Sequence, residues 1–116
     1  MQDGRLMQSM LLDFYGELLT ERQRSCYELH VNEDLSLSEI AEQCGISRQG
    51  VWDNIRRAEQ ALREIEEKTG LVRRFTELRQ GLGAAERQLA ALEEQVPEEH
   101  RNAVRLVRSE LKQLEE

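Results

Sequence analysis

The sequence predicts an all-α protein, and three observations carry the prediction. Helix formers dominate: charged residues fill 34% of the 116 positions, Pro occurs once, and no window alternates apolar and polar residues as a half-buried strand would. Two capping boxes, Thr20 with Gln23 and Ser36 with Glu39, mark helix starts, because the hydroxyl accepts the third residue's amide while that residue's side chain reaches back. Elsewhere apolar residues recur at three- and four-residue steps, the spacing that gathers them on one side of a helix.

Met1 to Gly4 is expected to fray, after which Leu6, Met7, Met10, Leu11, Phe14 and Leu18 mark a first amphipathic helix, weakened in its last turn by Gly16. The Thr20 box starts a second helix running to about Val31 and burying Cys26, Tyr27 and either Leu29 or His30. Asn32, Glu33 and Asp34 form a polar link. The Ser36 box then starts a helix at Leu37, with Leu35 and Ile40 placed as a hydrophobic staple and Ile40, Ala41 and Cys44 as its buried stripe. Gly45 can take the left-handed conformation that ends this helix, and Ser47 caps the next. In that fourth helix Val51, Ile55, Ala58, Leu62 and Ile65 form the apolar face, up to a stop at Thr69–Gly70. A short helix, a glycine turn and a longer helix, crossing closely at the small Ala41, make a helix-turn-helix over Leu35 to Lys68.

Beyond Gly70 the pattern changes. Leu71, Phe75, Leu78, Leu82, Ala85, Leu89, Leu92 and Val96 make a coiled-coil-like seam, and Gly81 and Gly83 within it suggest a bend or a close helix crossing. Pro97 suits the first position of a last helix, in which Ala103 or Val104, Val107, Leu111 and Leu114 continue the spacing. These two helices are expected to pair as an antiparallel hairpin or with a second copy of the chain, since their seams cannot stay wet. The expected organisation is thus one compact or elongated domain in two parts: residues 1–69, the N-terminal helix plus helix-turn-helix, and residues 70–116, the hairpin. The hairpin is the expected homodimerisation element, through Leu78, Leu82, Leu89, Leu92, Val107 and Leu111.

Net charge is -7, which argues against a surface that grips nucleic acid all over and restricts any DNA contact to a local patch. Cys26 and Cys44 show no CxxC spacing and read as small core residues suited to a reducing cytoplasm. His30 lies four residues after Cys26, but no further ligands accompany them, so no metal and no cofactor is expected. No apolar run approaches the roughly 20 residues that span a bilayer, and no basic-then-apolar leader opens the sequence, so no membrane association is expected. Catalysis also finds no constellation: His30 and His100 lie far apart in sequence, and no glycine-rich loop precedes Lys with Ser or Thr.

The candidate binding residues are those that the apolar pattern of the fourth helix turns outward: Arg48, Gln49, Trp52, Arg56 and Arg57. As a DNA reader this helix would put Arg48, Gln49 and Trp52 near base edges, with Arg56 or Arg57 near phosphate. Against that, Arg48, Arg56, Arg57 and Arg63 are balanced over Leu35 to Arg63 by Glu39, Glu42, Asp53 and Glu59, so DNA should bind weakly or not at all. As an adaptor face the same Trp and Arg residues would anchor a protein or ribonucleoprotein. Trp52 could instead pack against the C-terminal helices.

The stretch LLTERQRSCYELHVNEDLSLSEIAEQCGISRQGVWDNIRRAEQAL resembles the fourth region of bacterial sigma factors, the domain that reads the promoter's upstream element. More closely, LLDFYGELLTERQ together with SLSEIAEQCGISRQGVWDNIRRAE resembles the YlxM family, small bacterial helix-turn-helix proteins associated with the signal recognition particle pathway. The match is tightest from Leu11 to Glu59, and Gly50 stands where that family usually has Ala. The resemblance implies a sigma-region-4-like fold and an accessory or regulatory role towards the particle's GTPases, with the particle's protein or RNA as partner. The sigma likeness alone would imply a DNA-binding transcription regulator.

Overall fold

Residues 2–115 are described in the computed structural model, and among them lie six α-helices and no strand: α1 (Gln2–Tyr15), α2 (Glu21–Val31), α3 (Leu37–Cys44), α4 (Arg48–Thr69), α5 (Leu71–Gln95) and α6 (Glu98–Glu115). The protein is all-α. Both capping boxes form, with the Gln23 amide donating to Thr20 Oγ1 at 3.2 Å and the Glu39 amide to Ser36 Oγ at 3.1 Å. Gly45 (φ 68°) and Gly70 (φ 63°) end α3 and α4 in the left-handed region, where a β-carbon would be strained. The chain divides into two compact units, the first ending at Val72 and the second starting at Arg73.

In the first unit α4 is the element on which α1, α2 and α3 pack, and its Val51, Ala58 and Leu62 are completely buried. Burying a Val- or Leu-sized side chain is worth about 1.5–3 kcal/mol, so this one face supplies a large share of the unit's stability. From α2 come Cys26, Tyr27 and Val31, while Leu29 packs at the edge of the core and His30 is exposed. The apolar face expected for α1 is corrected. Gln2 to Gly4 are helical, Met1 lies outside the described residues, and the buried residues are Leu11, Leu12 and Tyr15, with Leu6 mostly exposed and Met7 and Phe14 about 40% exposed. At Gly16 the chain tightens into a single 3-10 turn, Gly16–Leu18, closed by the Leu19 amide on the Gly16 carbonyl. The tighter winding turns Leu18 outward, 70% exposed, and brings Leu19 into the core in its place.

Two polar latches hold the ends of this unit. Arg5 donates from Nε and Nη2 to the Val31 carbonyl, covering the C-terminus of α2, and from Nη2 to Asp34 at 2.8 Å. Asp34 takes φ 58°, which Asp tolerates better than bulkier residues do. At the other end Tyr15 Oη donates to Glu66 Oε1 at 2.7 Å and sits 2.5 Å from Thr69 Oγ1, and the same Glu66 oxygen accepts the Val72 amide. Within the first unit one carboxylate thus joins the end of α1, the end of α4 and Val72.

The second unit is an antiparallel hairpin of α5 and α6. Pro97 stands one residue ahead of α6, at its cap, with its carbonyl accepting the His100 amide, instead of occupying the first helical position. Across the hairpin Arg108 reaches both Glu86 (3.0 Å) and Glu93 (2.7 Å), and Arg105 holds Glu93 at 2.9 Å. These ion pairs, with half-buried Leu82, Leu89, Val104 and Leu111, fill the space between the helices. α5 runs without interruption through Gly81 and Gly83. A β-carbon at Gly83 would stand 3.9 Å from the Glu115 carboxylate, and one at Gly81 would meet nothing.

Candidate partner-binding face

The site is built outward from the turn between α3 and α4. The amides of Gly45 and Ile46 both donate to the Ala41 carbonyl, at 2.9 and 3.2 Å, which folds the turn back and seats Ile46 on the core. Ser47 then caps α4, its Oγ accepting the Gly50 amide at 3.0 Å. With the start of α4 fixed and Val51 and Ile55 turned inward, Arg48, Trp52 and Arg56 face out.

Two rows at i, i+4 spacing emerge. Arg48, Trp52 and Arg56 form one; Gln49, Asp53 and Arg57 form the other. Trp52 is 42% exposed, and the Arg56 guanidinium lies over its ring at 4.8 Å, a cation–π pair open to solvent. Arg48, Gln49 and Trp52 border one shallow hollow of about 570 Å³, together with Leu37 from the start of α3. Arg57 is placed apart from them, in a neighbouring hollow with Asp53, Arg56 and Gln60. Gln49 donates to Asp53 at 3.2 Å along the exposed side of the helix. Of the five predicted residues, Arg48, Gln49 and Trp52 border one hollow and Arg56 and Arg57 the next, with the Trp52–Arg56 pair linking the two. Leu37 is the member that sequence missed, since its place depends on how α3 crosses α4.

Gly50 lies three residues after the Ser47 cap. A β-carbon there would come within 3.2 Å of Ser47 Oγ, so an Ala would press on the hydroxyl that caps the helix. Behind the face, burial and the adjacent Cys44 push the Cys26 thiol upward from its ordinary range. Among the described residues no three His, Cys, Asp or Glu side chains converge as metal ligands would, and no helix is long and apolar enough to cross a membrane.

A capped short helix, a left-handed glycine turn and a second helix presenting an exposed row from its N-terminal half define a helix-turn-helix protein. The chain belongs to the UPF0122 family: the family model for helix-turn-helix proteins, YlxM / p13 like, matches residues 2–101. It is 50% identical over 97 residues to UPF0122 proteins of Bacillus cereus strain AH187, Bacillus anthracis strain A0248 and Bacillus thuringiensis subsp. konkukian strain 97-27, covering 84% of this chain and 87% of each relative. The YlxM likeness read from residues 11–59 therefore extends over most of the chain.

Proposed function

We propose that this chain is a non-catalytic accessory or regulatory protein of the signal recognition particle pathway, working in the cytoplasm and binding the particle's protein or RNA through the Arg48–Trp52–Arg56 row. The observation that carries the reading is the solvent-open Trp52–Arg56 pair on a rigid, capped helix. Exposed Trp and Arg are the residues that most often anchor interfaces, and neither depends on the whole protein being basic. The pathway itself comes from the YlxM likeness and from no feature of the face.

A DNA-binding regulator of sigma-region-4 type is the second reading. Arg48 stands exposed at the start of α4, where a recognition helix meets the major groove. The Gln49–Asp53 bond and the neighbouring carboxylates weigh against high affinity. The two readings separate in one set of titrations. Purified protein should bind the particle's protein or RNA at micromolar concentrations and change its GTP hydrolysis, and Trp52→Ala with Arg56→Ala should weaken binding at least tenfold with helicity unchanged. Failure to bind either component at tens of micromolar, with unaltered turnover, would overturn the pathway assignment. Nanomolar, sequence-specific DNA binding relaxed by Arg48→Ala would establish the second reading instead.

A further inference from the structure

The two helices of the C-terminal hairpin keep their ion pairs and Leu82, Leu89 and Leu111 for each other, and of the leucines left exposed Leu78, Leu92 and Leu114 share one side. On α5 the row facing α6 is Leu82, Glu86, Leu89 and Glu93; on α6 the row facing α5 is Val104, Arg108, Leu111 and Glu115. At about 100° per residue, Leu78, Gly81, Ala85 and Leu92 lie roughly 40–100° to one side of the first row, and Val107 and Leu114 roughly 80–100° to the same-handed side of the second. Antiparallel helices are related by a two-fold axis normal to their common plane, so those two sides fall on one surface of the hairpin. Leu78 is 60% exposed, Leu92 43%, Val107 45% and Leu114 68%. In a chain with 34% charged residues, no charge interrupts that row of α5 from Leu78 to Leu92.

We propose that this face binds a second copy of the chain, α5 against α5 in antiparallel sense, about a two-fold axis passing at Ala85. Leu78 and Leu92 each lie seven residues from Ala85, so the axis sets Leu78 of either copy on Leu92 of the other. Gly81 and Ala85 let the helices approach at the centre, and a β-carbon added at Gly81 meets nothing within 4 Å. Charge fits the same sense: Arg74, at the exposed basic start of α5, comes to the hairpin tip of the other copy, which carries exposed Glu98 and Glu99. A parallel arrangement would set like ends together. The face measures roughly 35 by 20 Å, on the order of 700 Å² and close to the 800 Å² per partner of a standard interface. The residues expected from sequence to dimerise therefore divide: Leu78, Leu92 and Val107 serve the second copy, while Leu82, Leu89 and Leu111 are spent inside the hairpin.

The test is sedimentation equilibrium of the full chain with a cross-linking arm. The unmodified chain should be dimeric at tens of micromolar, and Leu78→Asp with Leu92→Asp should raise the dissociation constant at least about a hundredfold, since four leucine burials are lost per dimer. Both positions are exposed in one chain, so helicity should hold. On a Cys44→Ser background, Leu78→Cys mixed with Leu92→Cys should form a disulfide-linked dimer under mild oxidation, and neither variant alone should. A monomeric mass at 100 µM or above, a dimer that survives the double substitution, or cross-linking by either cysteine variant alone would each overturn the proposal.

Discussion

Tyr27 is 1% exposed, and its hydroxyl has no hydrogen-bond partner among the described residues. Burial pushes its ionisation up to about 12, so it stays neutral and serves the core as a large apolar ring with an unmet polar tip. An unpartnered buried hydroxyl costs about 1–3 kcal/mol, so Tyr27→Phe should leave stability unchanged or raise it by up to about 1 kcal/mol, read from urea denaturation. A loss above about 1 kcal/mol would mean that the hydroxyl is bonded in solution. Single residues were also where sequence reading reached its limit. Trp52 and Arg56 could be placed outward because Val51 and Ile55 fix the inward side of α4, whereas the Tyr15–Glu66–Thr69 latch joins residues more than fifty positions apart and has no local spacing to announce it.

Helix ends were legible for a different reason: each is set by groups within three or four residues. Ser36, Gly45, Ser47 and Gly70 gave the bounds of α3 and α4 as they are found. Facing was harder wherever the apolar residues outnumbered the places to bury them. After α1 the 3-10 turn at Gly16 buries Leu19 in place of Leu18, and in α5 and α6 a single apolar spacing serves two adjacent rows, of which ion pairing by Arg108 selects one. The caps make their own prediction. Backbone and side-chain bonds from Ser36 hold the Glu39 carboxyl below its usual range, and Arg105 and Arg108 do the same for Glu93. A carboxyl depressed by folding adds stability above its unfolded range and loses it as pH falls through the folded one. Denaturation midpoints should therefore be flat near neutrality and decline below about pH 5, and Glu39→Gln should make that decline shallower. Ser36→Ala should cost about 1 kcal/mol at neutral pH. An acid limb identical in wild type and Glu39→Gln would remove the capping carboxylate from the account.

At the scale of the molecule, an acidic chain of net charge -7 presents its Trp–Arg face on α4 in the first unit and an uncharged leucine row in the second. Such a protein should bind mixed-sequence DNA weakly, with affinity falling several-fold between 50 and 200 mM salt, because few arginines reach phosphate against the overall field. For the meeting of α4 with its partner the chain offers a direct reporter, since Trp52 is its one tryptophan. Intrinsic emission excited at the tryptophan edge should be followed while the particle's RNA, which carries no competing fluorophore of that kind, is added at physiological salt, and repeated with a tryptophan-free form of the particle protein. Trp52 emission should change saturably with one of the two, and iodide should quench it less in that complex. Binding seen by sedimentation with Trp52 emission and iodide access unchanged would place the interface elsewhere and contradict the assignment to α4.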